Sequence, residues 1–362
     1  MQIIYRRIVK LLWLLPITAA LILYSLLPYY PHITEMWFSS GIFCVLSSII
    51  GTINAFIPIS FTELLVILAI PITCLIVVHM VYACRVYSIK KTVCAYFNKG
   101  LWILSSTLLL YMLMHGANFY RQPVSELMQL DTSQKTPEYL QEVCIKLAER
   151  SSVLRKKLRE DANGVALTSQ PPRKLIKDAG EGYRILEKKY SFLAGSVYSG
   201  KPVMLSRPWS YTGITGMYFP FFCEPNINID IPVYDVPFTA THELAHTRGF
   251  AREDECNFLA FLACISHPSV DYQYSGYLSA YIYCSNALYS YDEDMFSAVY
   301  AKLSEEVKRD LSASSVYWDQ FKGEIQEVST SINDAFITAQ GDEHGVLSYD
   351  RVVSLILAWY DK

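Results

Sequence analysis

Thr241-His242-Glu243-Leu244-Ala245-His246, then Gly249, then Arg252-Glu253-Asp254-Glu255-Cys256-Asn257, is the stretch on which the reading of this chain turns. Two histidines four apart project from one face of a helix, so both can hold one zinc ion. Glu243 lies beside them. A zinc site that keeps an open position lowers the pKa of bound water to about 7, and a neighbouring carboxylate can accept the proton as that water attacks a carbonyl. The surroundings predict the helix as well. Asp235 can cap it, Pro237 suits its first turn, and Gly249 stands where helices commonly end.

Catalytic zinc usually takes three protein ligands plus water, so a third is expected nearby. A tight turn at Gly249 can fold the next helix back on the first. Glu253 and Asn257 share a face of that second helix, as do Ala260 and Cys264, whose small side chains would let two helices approach. Glu253 is the first choice of ligand and Glu255 the second; the alternative for either is an acid that complements the helix dipole. Tyr218 to Ile231 could supply an edge strand that aligns an extended peptide, or be ordinary structural strand. Tyr277 and Arg351 are candidate donors to a developing oxyanion. Against them stand a core role for any one of 27 tyrosines and a simple ion pair for the arginine. His267 and His344 lack ligand spacing and are read as non-metal residues.

Outward from this centre the chain reads as mostly helical. Helical patterns run at about 237–248, 252–266, 273–290, 292–309, 313–339 and 347–360, and another around 177–191. Thr136-Pro137-Glu138 is a helix start, with a capping hydroxyl, proline at the first position and an acid in the first turn. Lys201 to Ile231, where Tyr, Phe, Ile and Val alternate with Pro, Gly and Asn, predicts short strands and loops.

The first 120 residues differ in texture. Uncharged stretches between Lys10 and Glu35, from Leu64 to Cys84 and from Gly100 to Tyr120 each approach the roughly 20 residues that a span needs. They predict transmembrane helices at about 8–28, 62–84 and 100–118. Between Met36 and Thr62, Ile42, Val45, Leu46, Ile49, Ile50 and Ile53 fall on one helical face, with Ser47, Ser48, Gly51, Thr52 and Asn54 on the other. That pattern predicts a helix lying in the membrane interface, at about 37–57. Arg6, Arg7 and Lys10 precede the first span, and Arg85, Lys90, Lys91 and Lys99 follow the second. Both basic groups belong in the cytoplasm, which three spans satisfy and four do not. Residues 1–120 are thus expected to form a multi-pass membrane region in the cell membrane, and residues 121–362 an extracytoplasmic catalytic domain.

Composition agrees with two solvents: 52% of residues are hydrophobic and 18% charged. A net charge of -3, with no basic stripe, argues against nucleic acid as a partner. The nine cysteines show no C-x-x-C pair, so neither a zinc ribbon nor a disulfide framework is signalled.

The HELAH…G…ExExNFLA run resembles a bacterial family of membrane-anchored zincin-like proteins catalogued as a domain of unknown function. Asn118-Phe119-Tyr120-Arg121, Glu224-Pro225-Asn226-Ile227-Asn228, Tyr274-Ser275-Gly276-Tyr277 and Ser348-Tyr349-Asp350-Arg351-Val352-Val353 carry the likeness over nearly the whole chain. The metal motif is similar to the gluzincin pattern of the Ste24-like and ImmA-like peptidases, which implies Glu253 as third ligand. Cys256 stands where that pattern has Ala. The resemblance implies a mainly α fold with a small β-sheet, a zincin-like metallopeptidase domain, preceded by a transmembrane helical region. The expected function is zinc-dependent hydrolysis of a peptide or protein substrate beside the lipid bilayer, with Glu243 as general base. The alternative is a non-catalytic sensor or scaffold on the same fold. An intramembrane protease is disfavoured, because Arg248, Arg252, Glu253, Asp254 and Glu255 crowd the motif and would be costly in hydrocarbon.

Overall fold

The computed structural model describes residues 11–195, 198–339 and 349–362; His344 and the first residues of the helix predicted at 347 lie outside them. The chain is mainly helical with small sheets. Thr136 caps the helix Pro137–Arg155 by accepting from the amide of Tyr139. Val143, Cys144, Leu147, Ala148 and Leu154 recur on one face of that helix and are fully buried. They meet the long helix Val270–Tyr291, capped by Ser269, whose own core face includes Tyr281, Cys284 and Leu288. Between Val270–Tyr291 and the helix Val236–His246, which lies on the sheet, runs Glu253–Ser266, where Phe258, Leu259, Phe261 and Leu262 are all buried. Each such side chain removed from water contributes about 1.5–3 kcal/mol before chain entropy is set against it. This helix is the centre of the core.

Three predicted helices are divided. The one expected around 177–191 is two, Pro172–Asp178 and Gly180–Leu186. Pro172 opens the first at a position where no amide is needed. The one expected at 292–309 stops at Tyr300, and Ser304 caps a fresh start at Glu305, so that Glu305–Asp319 takes over. The 313–339 pattern breaks before Glu324–Ala339.

Three short strands form the sheet beside the metal motif, in the order Lys201–Pro202, Glu224–Ile227, Gly216–Phe219. The central strand is parallel to the first and antiparallel to the last, with Met217 opposite Asn226 and Phe219 opposite Glu224. The stretch expected as edge strand, Tyr218 to Ile231, is therefore split. Gly216–Phe219 is the edge, and Glu224–Ile227, buried at every position, is the centre.

Three helices are long and apolar enough to cross a membrane by length and composition: Pro31–Ala55, Phe61–Val86 and Ile89–Met114. The last two contain the stretches expected at 62–84 and, with the helical turn Gly116–Tyr120, at 100–118. The first expected span appears as Leu14–Leu26, with residues 1–10 outside the described part. Pro31–Ala55 is the segment read from sequence as interfacial, and its contacts separate it from the other two. Glu35 meets Arg121, Ser39 donates to Asn118, Ser47 donates to the carbonyl of Thr247, and Asn54 donates to Glu224. The polar face thus lies along residues 118–247 from one end of the helix to the other. Ile42, Val45, Ile49 and Ile53 on the opposite face stay exposed.

Candidate metal centre

The helix carrying the motif is Val236–His246, with Pro237 in its first turn. Its close neighbour is Glu253–Ser266, reached through a turn at Gly249. Gly249 has φ +78°, in the left-handed region where a side chain is strained. Thr241 and Cys264, 3.2 Å apart, mark the close approach of the two helices. The turn and the approach bring the Glu253 carboxylate to both histidines: His242 Nε2 is 3.1 Å from Glu253 Oε2 and His246 Nε2 is 3.7 Å from Glu253 Oε1. The three potential ligand atoms lie within 4.8 Å of one another.

The other ring nitrogens are engaged away from that centre. His242 Nδ1 meets Asn257 Oδ1 at 2.8 Å, and His246 Nδ1 meets the carbonyl of Phe250 at 2.8 Å. Fixing Nδ1 in this way turns Nε2 toward a shared point and sets the tautomer a metal would need. The thiol of Cys256 lies behind His246, 3.4 Å from Nδ1, and donates to the carbonyl of Phe250, so it sits on the side of the ring away from Nε2 and Glu253. Glu255 turns elsewhere: its carboxylate accepts from the amide of Val124 and from Arg252.

Electrostatics at the centre are dominated by the pairing of Glu253 with the two histidines. Burial opposes ionisation of Glu253, but its hydrogen bond to His242 and the fields of His246, His242 and His115 hold its carboxyl at about 2. Burial likewise disfavours a charged His242, and Glu253 overrides it, raising the imidazole to about 9. Glu243 behaves oppositely. Burial, reinforced by Glu253, raises its carboxyl to about 8 against the pull of His242 and the Tyr218 amide. Among the described residues its Oε2 has no hydrogen-bond partner although it is buried. A buried carboxyl oxygen left open beside three convergent candidate ligand atoms is placed to exchange a proton with a bound reactant, and a cation held at those atoms would bring the carboxyl into its ionised form.

Two further residues line the centre that the spacing did not single out. The ring of Tyr218, on the edge strand, stacks on His246 at 5.7 Å. His115, the residue after the apolar helix Ile89–Met114, lies 5.9 Å from both the His246 and Tyr218 rings. No local signal marks His115; only the tertiary fold delivers it. Gly216 on the edge strand backs directly onto Glu243, since a Cβ there would fall 2.4 Å from Oε1.

Tyr277 and Arg351, the candidate oxyanion donors, are not brought to this group. Tyr277 packs edge-on against Phe261 at 5.9 Å and under the guanidinium of Arg150, two helical turns along from Glu253. Arg351 acts on Asp254, which points to a different side of its helix from Glu253. His267 stacks on Tyr272 and bonds to the Asp178 carbonyl. All five cysteines after Arg121 are buried free thiols.

No curated protein and no solved structure matches the chain. One family model does, over residues 38–357, and it starts within the helix Pro31–Ala55 and ends within Tyr349–Tyr360, so it takes in the metal motif and most of the apolar region. The chain belongs to the family described as protein of unknown function (DUF3810).

Proposed function

We propose that the chain is a membrane-anchored, zinc-dependent peptidase on a zincin-like fold, with His242, His246 and Glu253 as the metal ligands and Glu243 as general base. The observation that carries the proposal is the convergence of two imidazole Nε2 atoms and a carboxylate within 4.8 Å, each imidazole oriented by a bond to its Nδ1. Two imidazoles and one carboxylate form the donor set of catalytic zinc sites that keep a position open, and a bound cation would displace the proton that Glu253 favours on His242. Bound there, zinc supplies Lewis acidity and a nucleophile at neutral pH.

The protein groups do the rest. Glu243, with its Oε2 unpartnered, receives the proton of the attacking water and returns it to the leaving amine. The edge strand Gly216–Phe219 lies alongside, and an extended peptide that takes over the Tyr218 amide from Glu243 can add to its outer side as a further strand. Tyr218 and His115 wall the centre and exclude water. The anchoring reading rests on the helices Leu14–Leu26, Phe61–Val86 and Ile89–Met114 as three spans, with Pro31–Ala55 lying at the surface. Arg85, Lys90 and Lys91 then cluster at the end away from the metal centre, which favours an extracytoplasmic active site.

The test is metal analysis and peptide hydrolysis on the detergent-solubilised full chain, with His242→Ala and Glu243→Gln beside it. Expected are about one zinc per chain, lost in His242→Ala, and hydrolysis lost in Glu243→Gln with zinc retained. Absence of zinc from the intact protein would overturn the enzyme reading in favour of a non-catalytic sensor or scaffold. Full activity in Glu243→Gln would overturn the mechanism.

A further inference from the structure

The metal centre and the ends of the apolar helices occupy the same place. His115 directly follows the last residue of Ile89–Met114, and its ring lies 5.9 Å from the ligand His246. The final charged residue of that helix is Lys99, so the stretch that runs into His115 is wholly uncharged. At the start of Phe61–Val86, Ser60 and Thr62 bond to Glu224, and Glu63 accepts from the amides of Met204 and Leu205. The uncharged run of this helix begins at the next residue, Leu64. Two hydrocarbon-length segments therefore end beside the site: one at His115, against His246, and the other at Phe61, tied through Glu224 to the strand that pairs with the edge strand.

The edge strand has a direction relative to that boundary. Its first residue, Gly216, backs onto Glu243. Its last, Phe219, packs on Phe222 at 5.3 Å, and Phe222 packs on Phe61 at the mouth of the apolar helix at 5.7 Å. A peptide added along the outer side of this strand would have one end at the metal and the other at the bilayer surface. Apolar side chains gather on that surface: Phe56, Ile59, Met204 and Leu205 are exposed around the same helix start, beside the bare face of Pro31–Ala55. Such a rim suits acyl chains and interfacial lipid, and it favours a chain that arrives along the membrane over one that arrives from bulk water.

We infer that the substrate is a polypeptide held by its own membrane anchor and cut within the few residues that emerge from the bilayer. The inference rests on the peptidase reading above and specifies its substrate class. Four residues of edge strand cover about 13 Å, so the scissile bond should lie within roughly four residues of the anchor's end.

The experiment uses the full-length, zinc-loaded protein in liposomes with three probes, each carrying the same degenerate eight-residue reporter segment and read by mass spectrometry. In the first, the segment adjoins a single transmembrane helix. In the second, a flexible spacer of about 30 residues separates them; in the third there is no anchor. Glu243→Gln protein is the blank. Expected is cleavage of the first probe at least about tenfold faster than the second at equal surface density, with sites clustered next to the anchor. Equal or faster cleavage of the spaced or anchorless probe would overturn the inference and leave the peptidase reading standing. Cleavage of none of the three would overturn both.

Discussion

Replacing Arg121 by Met removes the clasp between the helix Pro31–Ala55 and the turn that delivers Glu253. The Arg121 guanidinium is fully buried, bonds twice to Glu35 at 2.7 Å, donates to the carbonyl of Arg248 at 3.0 Å and lies 3.7 Å over the ring of Phe250. Without it, Glu35 keeps only the hydroxyl of Ser40 as a partner among the described contacts and remains nearly buried. Breaking a buried ion pair from one side costs about 3–5 kcal/mol, most of it the unpaired charge. The lost bond to the Arg248 carbonyl adds about 1 kcal/mol. Arg121→Met alone should therefore destabilise by about 3–5 kcal/mol or slightly more. In Arg121→Met/Glu35→Met the charge disappears, and about 2 kcal/mol or more should return, because apolar replacements of buried pairs are often near neutral. The assay is reversible denaturant unfolding in mixed micelles followed by tryptophan fluorescence, with midpoints compared at unchanged slope. A cost below about 1 kcal/mol for the single variant, or a double variant no more stable than the single, would refute the account.

Other variants probe the centre and its supports. Gly216→Ala places a methyl 2.4 Å from Glu243 Oε1 and 2.8 Å from Thr239, so hydrolysis should fall by tenfold or more (about 1.4 kcal/mol in the barrier) while zinc content measured on the same sample stays unchanged. Asn257→Ala frees His242 Nδ1 and should weaken zinc binding by about 10–100-fold in chelator competition. Burial opposes ionisation of Glu224, yet Lys201 and the donors at Thr62 and Phe61 hold its carboxyl at about 2. That is below its unfolded value of about 4.3, so its contribution is complete above the unfolded value and is lost as pH falls toward 2. Denaturation midpoints between pH 5 and 2 should fall more steeply in the wild type than in Glu224→Gln.

What the sequence discloses about the site follows helical periodicity and stops where tertiary contact begins. His242 and His246 could be read because four-residue spacing is itself a geometry, and Glu253 because a glycine turn with two small-residue positions implies that the helices meet. Asn257 was legible as sharing the face of Glu253, though not as the partner of His242. His115 and Tyr218 carry no such signature: each reaches His246 across more than 25 residues of chain that no period links. Tyr277 and Arg351 were drawn from residue chemistry without a geometric constraint, and the fold spends them on Phe261 and Asp254. In the apolar region, the one-sided stripe at 37–57 disclosed an amphipathic helix. Its polar face finds its partners on residues as far as 200 positions away, as Ser47 does at Thr247, and no local pattern encodes that pairing.

The buried contacts that run from Pro31–Ala55 and the first turn of Phe61–Val86 into residues 118–248 also bear on inheritance. Glu35 with Arg121, Ser47 with the Thr247 carbonyl, and Asn54, Ser60 and Thr62 with Glu224 are paired groups, and loss of either charge, Arg121 or Glu224, leaves buried polar partners on the other side uncompensated. A recombination point between the apolar half and the helical half would separate five such pairs at once. The apolar half and the helical half are therefore one packed unit rather than a tether joined to a separate body, and neither could be exchanged alone without uncoupling these contacts.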